Sequence, residues 1–261
     1  MKMQKTKGII KSLVKSTQNK FFPKKTYAQH QEDIVLLELF DRIETFIDIG
    51  ANDGISCSNT YLLALQGANG LCFEPVKLNY TFLKWLYVFN NKVKCIQEGI
   101  SNEVKQLEIQ RDGLLSFIPE TRDLKLEGIL NQYFSKTVEK EIISVKPLNY
   151  WLDIYTEFIN CDVLSLDVEG HELYTLQSID FSIFKTKCFV IETYGHVHRD
   201  YDLINTLLNQ HGYQALLEND LNTFWFAREL VVQSSFVEKV NAIPKKFSEY
   251  KLMYELDYCQ H

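Results

Sequence analysis

The sequence predicts an α/β protein with a mostly parallel, doubly wound sheet and a C-terminal antiparallel hairpin. Three observations lead to this fold class. Short apolar runs recur along the chain, helix-length segments lie between most of them, and two β-rich runs flank a turn near residue 220. Short buried strands that alternate with helices are typical of a parallel sheet covered by helices on both faces.

The composition supports a packed domain and excludes several classes of protein. The chain has 261 residues, of which 46% are hydrophobic, so it is not disordered, collagen-like or a small disulfide-stapled chain. The six cysteines include no CxxC pair, and we expect free thiols in a reducing compartment. No 18-residue apolar stretch and no signal-peptide pattern are present. We therefore expect a cytoplasmic protein.

Residues 1–26 are predicted to form a basic segment in front of a domain over 27–261. The first 31 residues carry eight lysines and no acid, whereas the other 230 hold 20 basic and 34 acidic side chains. Residues 7–18 have apolar side chains at helical spacing, which predicts an amphipathic helix. Two interpretations stay open: weak contact with an anionic membrane surface, or packing of the helix on the body.

The elements of the domain follow in order after residue 26. A helix over 27–40 is predicted to precede the sheet. Strands are predicted at 45–49, 71–73, 93–96, 163–166 and 188–191, and helices at 56–65, 78–90 and 171–178. The segment 78–90 is apolar nearly all round, which we attribute to core packing. Strands at 212–217 and 223–227 would form the closing hairpin.

An insertion at about 103–147 interrupts this alternation. Residues 106–110 and 114–118 are predicted to form a hairpin, and residues 139–145 a returning strand. A long irregular insertion of this kind suits a lid over a binding site.

Each of the predicted core strands ends in an acidic residue. The five are Asp48, Glu74, Glu98, Asp167 and Glu192. The carboxyl ends of parallel strands form one rim, where ligands bind in open α/β sheets. An acid after a strand can also cap a helix, but five on one rim repel each other unless a cation or hydrogen-bond donors join them.

The turn after the first strand points to a nucleoside-containing ligand. Small residues at Gly50, Ala51 and Gly54 allow the backbone to approach a ligand closely. Their spacing is not the dinucleotide pattern GxGxxG. Glu74, at the end of the second strand, suits the two hydroxyls of a ribose. An acidic rim favours a sulfonium ligand over a pyrophosphate, which needs amide and cationic donors.

Three motifs carry a family resemblance: FIDIGANDG at 46–54, FEP at 73–75 and LSLDVEGHE at 164–172. Together they resemble the FkbM-type methyltransferases, which use S-adenosylmethionine and have the Rossmann-like class I methyltransferase fold. The resemblance spans about residues 27–227. It implies that Asp48, Gly50 and Asn52 line the methionine part of the cofactor.

The resemblance also implies roles for other residues and a class of substrate. Glu74 would hold the ribose, and Ser101 and Asn102 would contact the adenine. The acceptor would be a hydroxyl group of a sugar, glycan or small metabolite. Nucleic acid is a poor candidate for the acceptor, because the acidic body opposes binding of a phosphate backbone.

The candidate catalytic residues crowd the ends of the fourth and fifth strands: Asp167, Glu169, His171 and Glu192. One of them would act as the general base for the acceptor hydroxyl. Alternatively, Asp167 and Glu192 would bind a divalent cation such as Mg²⁺ that acidifies this hydroxyl. For His171, a packing or capping role at a helix start stays open. The loop 194–200, with two histidines and an arginine, is either a substrate-binding loop or a plain surface loop.

Two other functions remain as alternatives. An NAD-dependent oxidoreductase or epimerase shares the ribose-binding acid but requires the GxGxxG pattern that this chain lacks. A non-catalytic binding protein on the same fold is the second alternative.

Overall fold

A central sheet of eight strands and a second sheet of four strands form the frame of the protein. The computed structural model describes residues 2–112, 115–117, 139–194 and 198–253. Within these residues the strands are β1 (Thr45–Ile49), β2 (Asn69–Phe73), β3 (Val93–Ile96), β4 (Gly99–Ile100), β5 (Lys105–Asp112), β6 (Leu115–Phe117), β7 (Glu139–Lys146), β8 (Asn160–Leu166), β9 (Lys185–Glu192), β10 (Tyr213–Glu218), β11 (Asn222–Ala227) and β12 (Lys251–Leu252).

Helices cover the central sheet and extend the chain at its N-terminal end. They are α1 (Lys2–Phe21), α2 (Glu32–Leu39), α3 (Tyr61–Leu65), α4 (Lys77–Leu86), α5 (Leu148–Leu152), α6 (Glu172–Leu176), α7 (Tyr201–Gln210), α8 (Arg228–Val231) and α9 (Ser234–Lys246), with a 3₁₀ turn at Thr156–Phe158. No helix in the described part of the chain is long and apolar enough to cross a bilayer.

The order of the central sheet is β12-β10-β11-β9-β8-β1-β2-β3. The strands from β9 to β3 pair in parallel, and β11, β10 and β12 continue the sheet in antiparallel fashion. This topology confirms the predicted fold class, a mostly parallel Rossmann-like sheet closed by an antiparallel hairpin. The hairpin also pairs with β12, a strand that the sequence pattern did not predict.

Alternate residues of the parallel strands pack into two separate cores. Phe46 and Val163 belong to the core on one face of the sheet, whereas Ile47 and Leu164 belong to the core on the other. This alternation follows from the two-residue repeat of a strand. Because both faces are covered, the strands are mostly apolar, and most of their polar side chains lie at or near the strand ends.

The insertion forms a second sheet with the order β4-β7-β5-β6. The predicted hairpin is present as β5 and β6, with Asp112 opposite Leu115, and the returning strand β7 pairs with both β5 and β4. Residues 113–114 and 118–138 of the insertion lie outside the described residues. A small apolar cluster of Val76, Ile109, Ile143 and Val145 belongs to this sheet and its border with α4.

Two predicted helices begin later than the sequence pattern indicates, because side chains hold the preceding backbone in turns. The helix predicted from residue 27 begins at Glu32, since the Asp33 carboxylate accepts hydrogen bonds from the Thr26 hydroxyl and the Tyr27 N–H. The helix predicted from residue 56 begins at Tyr61, since Asp53 accepts hydrogen bonds from the next turn of backbone. Short polar side chains commonly stabilise turns in this way.

The prediction that the whole segment 78–90 packs in the core is wrong. Leu83 and Leu86 are buried, but Trp85, Val88 and Phe89 are exposed. Trp85 is within the helix but on a different side from Leu83. The helix ends at Leu86, so Val88 and Phe89 follow a different backbone path and leave the core face.

Candidate active site

A cavity of about 570 Å³ lies at the carboxyl end of the parallel strands. Its volume is within the usual range for small-molecule sites. The five acidic residues that end the core strands all line it: Asp48, Glu74, Glu98, Asp167 and Glu192. The rim predicted from the strand pattern is therefore the wall of one cavity.

The loops that follow β1 and β8 touch each other at Gly50. Gly50 has a φ of +92°, and a Cβ atom there would lie 1.7 Å from the Asp167 carbonyl oxygen. The N–H groups of Gly50 and Ala51 both donate to the Phe73 carbonyl. The position of Asp167 at the cavity thus depends on the absence of a side chain at residue 50.

Left-handed backbone conformations concentrate at this cavity. Of the five non-glycine residues with positive φ in the described chain, four line it: Asn52, Cys57, Glu169 and Tyr194. Such conformations cost free energy and tend to occur at functional sites. Their clustering marks the cavity as a functional site on backbone geometry alone.

Glu74 is fixed by backbone donors on both of its oxygens. The Asn52 N–H donates to one oxygen at 2.9 Å and the Val76 N–H to the other at 2.7 Å. Burial raises the pKa of Glu74 to about 8, and the two N–H donors act in the opposite direction. Each carboxylate oxygen can accept a second hydrogen bond, so the group can also receive two hydroxyls from a ligand.

Asp48 faces the cavity beside the loop that begins with Gly50. The Thr60 hydroxyl donates to its carboxylate at 2.6 Å. Burial raises the pKa of Asp48 to about 7, and repulsion from Asp167 adds to the shift. A cationic ligand group next to these two acids would stabilise their ionised forms.

Three carboxylates form a cluster at the ends of β8 and β9. Single oxygens of Asp167, Glu169 and Glu192 lie within 4.8 Å of one another. Burial among protein atoms raises the pKa of Asp167 to about 6, although its side chain borders open cavity space. Burial and repulsion from Asp167 raise the pKa of Glu169 to about 8, and the same effects raise that of Glu192 further.

Two further observations describe how this cluster is held. The Tyr194 hydroxyl lies 3.4 Å from Glu169 Oε2 and donates to it. Glu192 Oε2 is buried and has no hydrogen-bond partner among the described residues. A buried polar oxygen without a partner is costly, so a donor from a ligand would bind favourably at this atom.

A buried pair behind the cluster fixes the loop that carries Asp167 and Glu169. Glu172 Oε1 accepts hydrogen bonds from the N–H groups of Val168 and Gly170, and its Oε2 lies 2.7 Å from His198 Nε2. The Asp200 N–H donates to His198 Nδ1, so His198 Nε2 carries the proton and donates to Glu172. Burial opposes ionisation of Glu172, but the hydrogen bonds from His198 and from backbone N–H groups hold its pKa below the usual value.

His171 lines the cavity and occupies the N-cap position of α6, but its side chain does not cap the helix. Its Nε2 lies 3.0 Å from the Ser101 hydroxyl, and its ring stacks on Tyr174, whereas its side chain makes no capping hydrogen bond to the start of α6. Burial lowers the pKa of His171 to about 4. The imidazole is therefore neutral near pH 7 and a weak base.

Ser101 and Asn102 lie behind the cavity wall rather than on it. Ser101 is fully buried and contacts His171, and Asn102 is exposed and contacts Gln177. Among the described residues, neither lines the cavity, whereas the preceding Gly99 and Ile100 do.

The second sheet supplies the apolar side of the cavity. Ile109 and Val145 line it together with Ile143, and Val76 and Ile100 continue the same surface. Glu98 adjoins this wall and forms an ion pair with Lys146 at 3.2 Å. The cavity thus has one acidic side at the strand ends and one apolar side on the insertion.

The sequence analysis missed three contributors to the site, namely Tyr194, His198 and the apolar wall on the insertion. Tyr194 has no separate role in the predicted loop 194–200, and His198 is buried against Glu172 and does not lie on the rim. Arg199 pairs with its neighbour Asp200, and residues 195–197 lie outside the described residues. The apolar wall on the insertion gave no signal in a single sequence beyond the apolar alternation of its strands.

Comparison with known proteins was made with this geometry in view. The family model described as "Methyltransferase FkbM domain" matches residues 48–215. No curated protein matches the chain. A solved FkbM methyltransferase from Methylobacillus flagellatus is similar in structure, with 18% identity, a TM-score of 0.46, and coverage of 71% of this chain and 44% of that one. The chain thus spans less than half the length of that structure.

A second solved structure is also similar. It is a precorrin-6y C5,15-methyltransferase from Geobacter metallireducens, with 10% identity, a TM-score of 0.43, and coverage of 78% of this chain and 93% of that one.

The contact at Gly50 predicts a large effect of a single added methyl group. Gly50→Ala should destabilise the protein by more than 4 kcal/mol, since it combines a left-handed φ with a clash against backbone. Gly212 is the matched control, because it has a φ of +86° but nothing within 4 Å of the added Cβ. Gly212→Ala should cost only about 1–2 kcal/mol. Urea unfolding measures both, and equal losses would contradict the steric argument.

The buried carboxylates predict a stability that falls as pH rises. The pKa values of Asp48, Glu74 and Glu169 are raised to about 7, 8 and 8, so the folded protein retains protons that the unfolded chain has released. Between about pH 6.5 and 8, the free energy of unfolding therefore falls by on the order of 1 kcal/mol per pH unit for each retained proton.

The melting temperature of the ligand-free protein measures this trend. We expect it to fall across that window, and we expect Asp48→Asn to flatten the slope. A melting temperature that rises with pH there would show that the carboxylates are already ionised in the folded protein.

Proposed function

The chain belongs to the FkbM methyltransferase family, and from this we propose that it transfers the methyl group of S-adenosylmethionine to a hydroxyl of a sugar, glycan or small metabolite. The observation that carries the proposal is Glu74, whose two oxygens are fixed at the cavity by backbone N–H groups. This arrangement suits the two adjacent hydroxyls of a ribose.

The other cavity residues fit the remaining parts of the cofactor. Asp48, Gly50 and Asn52 line the cavity at the end of β1, where they would surround the amino-acid part. The apolar wall of Val76, Ile100 and Ile143 would pack against the flat adenine ring. The acidic cluster suits a sulfonium cation, because opposite charges favour ionised carboxylates at a buried site.

The positions of Ser101 and Asn102 change which residues we expect to contact the adenine of the cofactor. Because Ser101 is buried against His171 and Asn102 faces Gln177, we assign the direct contacts to Gly99 and Ile100, which line the cavity. Ser101 would then act indirectly, by holding the His171 ring at the cavity wall.

When bound, S-adenosylmethionine supplies an electrophilic methyl group. The residues of this chain would orient the acceptor hydroxyl and take up its proton. Glu169 is the best candidate for the base, since its carboxylate reaches the cavity and its pKa of about 8 lies near the working pH. His171 is a weaker candidate, because its pKa is near 4 and Nε2 already contacts Ser101.

The same cluster would suit a divalent cation such as Mg²⁺. Three carboxylate oxygens of Asp167, Glu169 and Glu192 converge within 4.8 Å, and hard cations prefer such oxygen ligands. The unpartnered Glu192 Oε2 supports this role specifically. Asp167, Glu169 and Glu192 would hold the cation, and a bound cation would acidify the acceptor hydroxyl.

We also propose that the protein works in the cytoplasm. The support comes from five cysteines, which are free thiols in the structure: Cys57, Cys72, Cys95, Cys161 and Cys188. Free buried thiols are typical of proteins in reducing compartments.

Binding of S-adenosylhomocysteine by Glu74→Gln tests the cofactor assignment. The variant replaces one acceptor oxygen with a donor, so we expect affinity to fall about 10- to 100-fold, the equivalent of one or two lost hydrogen bonds. Glu103→Gln, at an exposed carboxylate, should bind like the unaltered protein. Isothermal calorimetry measures both, with the melting temperature as a check on folding.

The same titration separates the proposed function from its alternatives. Tight NADH binding without S-adenosylhomocysteine binding would favour an oxidoreductase. Cofactor binding without a 14-Da mass gain on any glycan or metabolite acceptor would favour a binding protein.

Mn²⁺ binding by Glu192→Gln tests the cation. We expect one Mn²⁺ site in the unaltered protein by electron paramagnetic resonance, and at least tenfold weaker binding in the variant, because one of three ligands is lost. Glu157→Gln is the control, since Glu157 is an exposed carboxylate at the opposite end of β8. Equal Mn²⁺ affinity in all three proteins would overturn the cation site and leave Glu169 as the base.

A further inference from the structure

Helix α1 packs on the body through its polar side. Ser12 and Asn19 are its buried residues among those described, and a Cβ at Gly8 would lie 2.3 Å from the Phe82 ring of α4. Asn19 shares a hydrogen bond with the Tyr61 hydroxyl. At 3.6 residues per turn, Gly8, Ser12 and Asn19 lie within about 40° of one another around the helix axis.

The most exposed apolar side chains of α1 point away from the protein, whereas Ile9 and Leu13 are half-buried. Ile10 and Val14 are 55% exposed, Phe21 is 69% exposed, and Phe22, just after the helix, is 78% exposed. Ile10, Val14 and Phe21 lie within about 40° of one another, on the side of the helix opposite the buried residues. We call these four residues the outer stripe.

The helix packs on the body, as one interpretation of the sequence expected, but through its polar side and not its apolar side. A helix that only served to cover α4 would bury its apolar side chains and expose its serine and asparagine. Three residues of the outer stripe, Val14, Phe21 and Phe22, border a shallow surface groove with Leu13, Thr17 and Gln18. Contiguous exposed apolar surface of this kind marks an interaction site.

The lysines around the outer stripe indicate which kind of surface it binds. Lys7, Lys11 and Lys20 are exposed on α1 and flank the stripe on both sides, and Lys24 and Lys25 follow it. Residues 1–31 contain no acid. Apolar side chains flanked by lysines are the pattern of helices that lie in the headgroup region of an anionic bilayer.

A second copy of the chain fits this surface less well. Pairing two α1 helices through their stripes would place lysine rows against each other, and like charges in contact are unfavourable. An anionic bilayer avoids this repulsion, because its headgroups attract the lysines and its apolar interior can bury the outer stripe.

We propose that α1 is an interfacial membrane helix, which inserts the outer stripe among the lipids of an anionic surface while its polar side holds the catalytic body. Lys15, on the inner side, interacts electrostatically with Asp53, in the loop that lines the cavity at Asn52 and Ser56. Membrane docking would hold this edge of the cavity roughly one helix diameter, ~10 Å, from the bilayer surface. The inference stands independently of the methyl-transfer proposal.

Vesicle flotation of the full chain tests the proposal. We expect the unaltered protein to float with vesicles that contain about one third phosphatidylglycerol and not with pure phosphatidylcholine, and to be released as NaCl rises from about 0.1 to 0.5 M. The variant I10S/V14S/F21S should lose at least tenfold in partition coefficient. Its near-ultraviolet circular dichroism should be unchanged, since these side chains are exposed.

Matched controls separate the stripe from general surface properties. I183S/L203S/V232S removes three comparably exposed apolar side chains elsewhere on the protein and should float like the unaltered chain. K7Q/K11Q/K20Q should weaken flotation, whereas K77Q/K185Q/K245Q, at exposed lysines outside α1, should have a smaller effect.

Three outcomes would overturn the proposal. The first is equal flotation of the unaltered protein and I10S/V14S/F21S, and the second is equal binding to neutral and anionic vesicles. The third is a dimer in solution that I10S/V14S/F21S converts to monomer without any vesicle binding, which would assign the stripe to a second copy of the chain.

Discussion

The mutual repulsion of carboxylates gathered at one end of the parallel strands is the constraint on which the site depends. For four of the acids, a hydrogen-bond donor or a cation from another part of the chain reduces this repulsion. Backbone N–H groups serve Glu74, the Thr60 hydroxyl serves Asp48, Lys146 serves Glu98, and His198 serves Glu172. In the cluster around Glu192, the Tyr194 hydroxyl donates to Glu169, and Glu192 Oε2 has no hydrogen-bond partner among the described residues.

The sequence predicted the sheet and its acidic edge well, because both follow from local pattern. A buried strand must be apolar on both faces, so the first polar residue after each run marks its end, and parallel strands bring those ends together. Asp48 and Asp167 are 119 positions apart in the chain, yet their places at the carboxyl ends of parallel strands were enough to predict that they share one rim.

Other features could not be predicted, because they depend on contacts between distant segments. Periodicity showed that α1 is amphipathic but not which side meets the body, and the structure buries Ser12 rather than Ile10. His198 pairs with Glu172 only because the loop after β9 folds back on the loop after β8. Phe89 was misplaced because composition does not reveal that α4 ends at Leu86. Trp85 was misplaced because composition does not reveal which side of α4 meets the core.

Because the cavity is divided between two sheets, its two sides tolerate mutation differently. The acidic side is built on strands whose backbones touch, as at Gly50 and Asp167, so substitutions there are strongly constrained. The apolar side rests on a separate small sheet with its own cluster of four buried side chains. Mutations in that sheet can therefore reshape the apolar side of the cavity, where we propose that the adenine of the cofactor binds, without disturbing the strands that carry the acids.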